Sequence, residues 1–367
     1  MVGVAMWPGH LAGRLVRAAL QKALWLFPRH FPSLWRRVPA RWVYAWVCIK
    51  SLFYNTFGSY DVVLDTLLEP LFWLVEWLTR WFGLVFVVTV VILMAAVVAV
   101  AYICVLPRII RTYDPYISVL LVLISHWLLL MITFHYYQAL TTSPGHLPLG
   151  RMDLPAASIC KKCIAWRPPR AHHCSICNRC ILKMDHHCPW LNNCVGHYNH
   201  RYFFSFCFYM CVGCTFASLT INVTFFHTTD GNQHVNTNVS ASALEMKPGK
   251  VDYYHNSVIF IWILCSTVAS VLGLLTAWHA VLISHGETSV ERHINRKERR
   301  RLCKEGQIFR NPYDYGASNN WKMFLGVTRN RHWATRVLLP SVHTPHSNGL
   351  LWTAPDQTHK RQPSVVV

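Results

Sequence analysis

Cysteine and histidine crowd one short stretch of the chain, between positions 160 and 194. Half of the fourteen cysteines fall there, at positions 160, 163, 174, 177, 180, 188 and 194, with histidines at 172, 173, 186 and 187. Three of the cysteine pairs are separated by two residues, a spacing that lets both sulfurs reach one tetrahedral zinc ion. The stretch therefore predicts zinc binding.

The number of possible ligands exceeds what zinc needs. Two closed tetrahedral sites take eight ligands, and the stretch offers eleven, so three are left over. Some cysteine and histidine then remain unligated beside two structural zinc ions. A free cysteine with a neighbouring histidine is the minimal set for nucleophilic thiol catalysis. Counting alone leaves open which residues are spare.

Four apolar runs flank this stretch, at residues 82–106, 117–140, 202–226 and 258–282. None contains Asp, Glu, Lys or Arg, and each reaches the roughly 20 residues that cross a bilayer as a helix. The whole chain is 53% apolar and only 14% charged, against about 25% charged in soluble domains. The sequence predicts an all-α integral membrane protein with four transmembrane helices; buried helices of a soluble protein are the disfavoured alternative.

The distribution of basic residues predicts the topology. Nine Lys and Arg precede residue 82, eight fall in 141–201 and fourteen follow residue 282, but the loops 107–116 and 227–257 hold two each. The positive-inside rule then places both termini and the cysteine-rich segment in the cytosol and the two loops in the lumen. Cytosolic thiols stay reduced, which favours zinc over disulfides.

The two ends of the chain are predicted to lie at the cytosolic face. Residues 1–81 are a basic amphipathic amino-terminal region that favours interfacial helices, and a signal or transit peptide is disfavoured. Its segment 62–78 is interrupted by acids and by Pro70, so we interpret it as an amphipathic helix rather than a fifth span. Residues 283–367 form the cytosolic tail. A glycosylation sequon begins at Asn238 in the second lumenal loop.

Beyond composition, the motifs resemble a known family. They run Cys160-x2-Cys163-x9-His173-Cys174-x2-Cys177-x2-Cys180-x4-Asp185-His186-His187-Cys188-x5-Cys194-x4-Asn199-x3-Phe203. This pattern resembles the DHHC cysteine-rich domain of protein S-acyltransferases, in residues 141–201 between the second and third spans. Three further segments are similar to family motifs, with Ser143 and Ser289 as departures: Ser143-Pro144-Gly145, Thr288-Ser289-Val290-Glu291 and Asn311 to Gly316.

The resemblance assigns roles by position. It gives one structural zinc to Cys160, Cys163, His173 and Cys180, and the second to Cys174, Cys177, His187 and Cys194. His172, His186 and Cys188 are left spare, which agrees with the surplus of three. The resemblance implies that Cys188 takes a fatty acyl group, such as palmitoyl, from acyl-CoA as a thioester and passes it to a client cysteine. His186 would be the general base, and Asp185 would fix its tautomer.

Several alternatives stay open on the sequence alone. An inactive membrane zinc-finger adaptor would need no spare Asp–His–Cys set, and a third structural knuckle would use Cys188 as a ligand. Lys183 or Arg201 would meet either the CoA phosphates or lipid headgroups. The expected partners are the bilayer and client proteins with membrane-proximal cysteines, and not nucleic acid, since the basic residues lie between apolar spans. The expected location is the endoplasmic reticulum membrane, with the Golgi as the alternative.

Overall fold

A computed structural model of the chain describes residues 60–147, 158–227 and 248–352, with Trp42, Trp46 and Val47. Within these ranges four helices are long and apolar enough to cross a bilayer: Pro70–Thr112, Pro115–Thr141, His200–Phe225 and His255–Ser284. The predicted fold class is confirmed, with a cysteine-rich region between the second and third of them. The chain divides into two compact units, residues 1–81 and 82–367. Most of the predicted interfacial helices, and Asn238, lie outside the described residues.

The helices follow the apolar runs and extend beyond them. Helix α1 (Tyr60–Val100) continues through a π-helical turn, Ala101–Val105, into α2 (Leu106–Thr112); α3 is Pro115–Thr141, α4 is His200–Ile221 with a π-helical end at Asn222–His227, and α5 is Pro248–Ser284. The tail adds α6 (Ser289–Lys304), α7 (Ala317–Leu325) and a π-helical segment at Trp333–Leu338. Residues 62–78 belong to α1, so they are continuous with the first span.

Capping residues stabilise the amino-terminal ends of two of these helices, α3 and α6. Asp114 precedes α3, its side chain accepts a hydrogen bond from the Tyr116 N–H at 2.9 Å, and Pro115 takes the first helical position, both favourable at a helix start. Thr288 and Glu291 form a capping box at α6: the Thr288 hydroxyl accepts from the Glu291 N–H at 3.3 Å, and the Glu291 carboxylate accepts from the Thr288 N–H at 2.9 Å. The four-residue motif 288–291 therefore begins α6.

The cysteine-rich region consists of three short antiparallel hairpins, which the helical fold class did not anticipate. They pair β1 (Ser158–Cys160) with β2 (Ala165–Arg167), β3 (His172–Cys174) with β4 (Arg179–Ile181), and β5 (His186–Cys188) with β6 (Asn193–Val195). The register sets His173 opposite Cys180 and His187 opposite Cys194. Directly opposed residues project to the same face of a strand pair, so each hairpin brings one imidazole to one thiol.

Asn199 ties the third hairpin to the membrane helices. It is fully buried just before α4. Its side-chain nitrogen donates to the carbonyls of Ala139 on α3 at 3.3 Å and Cys194 at 2.8 Å, and its side-chain oxygen accepts from the Gly196 N–H at 2.8 Å. The hairpin that carries Cys188 is thereby fixed against the carboxyl-terminal end of α3.

Candidate active site and metal centres

The first metal cluster gathers Cys160, Cys163, His173 and Cys180, whose ligand atoms all lie within 4.8 Å of one another. The His173 Nδ1 atom lies 3.2 Å from the Cys163 sulfur and 3.6 Å from the Cys160 sulfur, and the Cys163 and Cys180 sulfurs are 3.7 Å apart. Zinc–sulfur bonds of about 2.3 Å place two sulfurs of a tetrahedron about 3.8 Å apart. This cluster can therefore hold a metal ion of zinc's size.

The second metal cluster gathers Cys174, Cys177, His187 and Cys194 in the same way. The His187 Nδ1 atom lies 3.4 Å from the Cys177 sulfur and 3.5 Å from the Cys194 sulfur, and those two sulfurs are 3.5 Å apart. Each cluster supplies three thiols and one imidazole, the donor set of a closed structural zinc site. The eight residues assigned by the family resemblance are thus the eight that the structure brings together.

Asp185 is the buried centre of a separate group of polar side chains. Only 1% of it is exposed, and its carboxylate accepts from His186 Nδ1 at 2.6 Å, from the Ser289 N–H at 2.7 Å and from the Ser289 hydroxyl at 3.1 Å. Burial favours the neutral acid, but the imidazoles of His200 and His186 outweigh it and hold the pKa of Asp185 well below its usual range. Asp185 is therefore a fixed negative charge beneath His186.

His186 connects this carboxylate to the thiol of Cys188. Burial alone would lower the pKa of His186, but hydrogen bonds to Asp185 and Cys188 raise it to about 9. The ring also packs edge-on against Phe203 at 5.0 Å between centroids. Because Nδ1 is bonded to Asp185, the other ring nitrogen, Nε2, is the one left to meet the thiol. Asp185, His186 and Cys188 form a continuous acid–imidazole–thiol chain.

Cys188 ends strand β5 and lies in the wall of a large apolar cavity. The cavity encloses about 720 Å³ and is lined by residues of all four membrane helices, a volume typical of small-molecule sites. His186 and Cys188 line the end of the cavity nearest the cysteine-rich region, and Leu106 and Ile221 line the other end. Only 5% of the surface of Cys188 is exposed. The arrangement places a thiol beside a space suited to a long hydrocarbon chain.

The carboxy-terminal tail is fastened to the cysteine-rich region through Arg170. Its guanidinium forms a bidentate ion pair with Glu291 on α6, at 2.6 and 2.7 Å, and donates to the Gly286 carbonyl at 2.8 Å. The rings of Tyr313 and Trp352 lie over the same guanidinium, each centroid 4.5 Å away. These contacts hold the start of α6, and with it Ser289, against Asp185.

Three neighbours of Asp185 were not singled out as site residues from the sequence. In the sequence Ser289 stands out only as a motif departure, and neither His279 nor His200 is among the predicted site residues. The structure places the His200 Nε2 atom 4.0 Å from Asp185 and the His279 ring 6.0 Å from the His186 ring, between centroids. The available signal in the sequence is a histidine at or beside the end of an apolar run, as at His200 and His279.

Other residues weighed from the sequence are distributed around the site. Lys183 lies 5.6 Å from the Trp352 ring centroid, and burial lowers its pKa to about 7. Arg201 is buried and donates to the Tyr202 hydroxyl at 2.6 Å and to the His343 carbonyl. The other two guanidinium nitrogens of Arg201, Nε and Nη1, are buried without a hydrogen-bond partner.

Comparison of the sequence with known proteins identifies the family to which the chain belongs. A family model described as "DHHC palmitoyltransferase" matches residues 154–296. The chain is 52% identical over 352 residues to the human "Palmitoyltransferase ZDHHC16", covering 93% of each chain. It is 54% identical over 342 residues to the mouse protein of that name, again with 93% of each covered. A plant relative, the Arabidopsis thaliana "Probable protein S-acyltransferase 16", is 32% identical over 217 residues, 54% of this chain and 70% of the relative.

The fold and the site define a membrane-embedded acyltransferase with a cysteine-rich domain. The chain belongs to the DHHC palmitoyltransferase family. It is a multi-pass membrane enzyme, a protein S-acyltransferase, which confirms the resemblance and the enzyme class expected from the motifs. The inactive adaptor considered as an alternative is not supported.

Proposed function

We propose that Cys188 is the nucleophile that carries the acyl group, with His186 as its general base and Asp185 as the group that orients and charges His186. One observation carries the proposal: the only thiol bonded to an imidazole–carboxylate pair among the described residues is also the thiol at the mouth of the apolar cavity. A Cys–His pair oriented by a third group is the usual arrangement of an activated thiol.

The proposed reaction has two balanced steps. The Cys188 proton passes to Nε2 of His186, and the sulfur attacks the carbonyl carbon of the acyl-CoA thioester. The carbon–sulfur bond to CoA breaks, and the CoA thiolate leaves with the proton that His186 held. In the second step His186 takes the proton of a client thiol, which attacks acyl-Cys188, and Cys188 regains its proton. Asp185 stabilises the imidazolium in both steps.

Fatty acyl-CoA is the donor that fits this geometry. A hydrocarbon chain placed in the cavity gains roughly 0.8 kcal/mol per buried CH₂, and the cavity walls are almost entirely apolar. The polar CoA moiety would stay on the cytosolic side of Cys188. Palmitoyl-CoA is the donor that we propose, since the relatives are named palmitoyltransferases.

We propose that two zinc ions occupy the two Cys₃His clusters and serve only to hold the hairpins. Bound zinc would supply folding energy and no chemistry here, because protein donors fill all four positions. His187→Ala should therefore cost one zinc ion by native mass spectrometry and destabilise the domain, whereas Cys188→Ser should keep both. Loss of zinc in Cys188→Ser would count against this division of roles.

The proposed topology puts both termini and residues 141–201 in the cytosol, and the proposed clients are proteins with cysteines close to the membrane. The basic residues on the cytosolic side of each span support this orientation. We place the enzyme in the endoplasmic reticulum membrane, with the Golgi as the alternative. Protease protection of an amino-terminal tag tests the topology, and digestion of the tag in intact microsomes is the expected result.

The nucleophile is tested by acyl labelling of purified variants. Wild type and Cys207→Ser should both gain hydroxylamine-sensitive label from an alkyne palmitoyl-CoA, and Cys188→Ser should gain none. Cys207 is a matched control, since it is a buried cysteine that also lines the cavity. Equal labelling of Cys188→Ser and wild type would refute the assignment.

A further inference from the structure

A third set of metal-binding side chains lies behind the reactive histidine. Asp185, His186 and His279 offer ligand atoms that all lie within 4.8 Å of one another. The set is built from two separate elements, strand β5 with its preceding turn and helix α5. It shares no residue with either Cys₃His cluster, and it contains no thiol.

An unsatisfied ring nitrogen points to a ligand at this place. His279 is 3% exposed, and its Nδ1 atom is buried with no hydrogen-bond partner. His200, the neighbour whose Nε2 atom lies 4.0 Å from Asp185, has neither ring nitrogen satisfied. A buried polar atom without a hydrogen-bond partner is destabilising, and a bound ion or water would relieve that cost.

We propose that Asp185, His186 and His279 form an inhibitory site for a divalent transition metal ion, with zinc as its ligand. Two imidazoles and one carboxylate favour zinc, cobalt or copper over magnesium and calcium, which prefer all-oxygen sites. The three ligands leave room in the coordination sphere for water or for His200. The buried carboxylate supplies the negative charge that the ion needs.

Occupation of this site removes the base from the reaction. The neutral His186 ring that acts as the base carries its one proton on Nδ1. A metal ion bound at Nδ1 displaces that proton, and Nε2 takes up a proton in its place. The neutral, metal-bound ring then carries its one N–H on Nε2, so Nε2 cannot accept the proton of Cys188. This inhibition rests on the role proposed for His186, whereas the binding itself does not.

The binding is tested without any catalysis. Cobalt is titrated into zinc-loaded Cys188→Ser enzyme, whose two Cys₃His clusters are already filled, and visible absorption reports the added ion. The expected result is one further equivalent bound. The same titration of Cys188→Ser with His279→Phe should show affinity lower by at least about tenfold, as expected when a metal loses a ligand or its support.

His135 provides the matched control. It is another buried histidine on a membrane helix, with both ring nitrogens unpartnered and its ring stacked on Tyr209. His135→Phe should bind cobalt as the parent does. No third equivalent in the parent, or equal loss in both variants, would overturn the site. If His279→Phe fails to retain two zinc ions, His279→Gln replaces it, since an amide is a poor zinc ligand.

The inhibition is tested on active enzyme. Initial rates of Cys188 acylation are measured against added zinc, each variant being compared with its own rate in a chelating buffer that leaves the structural sites filled. Wild type and His135→Phe should be inhibited alike, and the zinc concentration for half inhibition should rise at least about tenfold in His279→Phe. Unchanged inhibition in His279→Phe would place the inhibitory ion elsewhere. If Cys188→Ser binds the third cobalt ion but zinc does not slow acylation of the wild-type enzyme, the metal site stands. The proposed inhibition, and with it His186 as the base, is then refuted.

Discussion

Ser289 holds the carboxylate of Asp185 with two hydrogen bonds from one residue, its backbone N–H at 2.7 Å and its hydroxyl at 3.1 Å. The two residues are 104 positions apart. They meet because the capping box of Thr288 and Glu291 begins α6 beside the cysteine-rich region. The tail therefore completes the surroundings of Asp185, and its loss should affect the reaction as well as the fold.

Ser289→Ala keeps the backbone bond to Asp185 and removes the hydroxyl bond. A hydrogen bond to a charged group contributes about 1.5–3 kcal/mol, so the rate of Cys188 acylation should fall by about tenfold or more, at 1.4 kcal/mol per factor of ten. Ser289→Thr should preserve the rate, because its hydroxyl can make the same bond. The rate of the initial burst of CoA release measures the acylation of Cys188. Equal burst rates in Ser289→Ala and wild type would show that the Ser289 hydroxyl bond does not contribute to this step.

Arg170→Ala should destabilise the enzyme strongly. The Arg170–Glu291 pair is buried, with 3% and 9% of the side chains exposed, and breaking such a pair costs about 3–5 kcal/mol, because it leaves one charge unpaired. Arg301→Ala is the matched control, since its pairs with Glu298 and Glu305 are exposed. The unfolding temperature in detergent should drop for Arg170→Ala alone; a similar drop in both would contradict the account.

Lys183 makes stability depend on pH. Burial lowers its pKa to about 7, whereas an unfolded lysine titrates near about 10.4. Between these values the unfolded chain binds more protons, so native stability rises with pH through this window. At about pH 7 and below, the charged amine is fully penalised in the native state.

Lys183→Met removes that penalty. The variant should unfold at a higher temperature than wild type near pH 7, and the difference should shrink as the pH rises. Lys322→Met, which changes an exposed lysine on α7, serves as the control and should show no such trend. A difference between Lys183→Met and wild type that is independent of pH would contradict the lowered pKa.

Ala217→Phe should shorten the acyl chains that the enzyme accepts. Ala217 lines the cavity on α4, and a phenyl ring there would fill space that the end of a long chain needs. Ser218, the next small residue on α4, instead accepts a hydrogen bond from Ser266 at 3.1 Å. Competition between palmitoyl-CoA and lauroyl-CoA measures the preference. Leu219→Phe changes an exposed neighbour and should leave this chain-length preference unchanged. An unchanged preference in Ala217→Phe would refute the proposal that the acyl chain ends near Ala217.

Spacing along the chain was sufficient for some of these features. The apolar runs predicted four spans, and the two-residue cysteine spacing predicted metal clusters, because both depend on residues close in sequence. The pairings of His173 with Cys180 and of His187 with Cys194 arise within single hairpins. Their assignment to separate zinc ions came from the family pattern, since the count of ligands left several allocations open.

Contacts between distant segments could not be read from the sequence. Ser289 reaches Asp185, and Arg170 reaches Glu291, across more than one hundred residues. No sequence pattern indicates that His279 lies close to His186, because that proximity depends on how α5 packs against the cysteine-rich region. Such contacts follow from tertiary packing, which no local pattern records.

The central claim is that Cys188 carries the acyl group as a thioester. Wild-type enzyme is mixed briefly with palmitoyl-CoA in the absence of a client, digested, and mapped by tandem mass spectrometry. We expect one palmitoyl group on the peptide that contains Cys188, at that sulfur, removed by neutral hydroxylamine. Palmitate on another cysteine with Cys188 unmodified, or full client acylation with no acyl-enzyme formed, would contradict it.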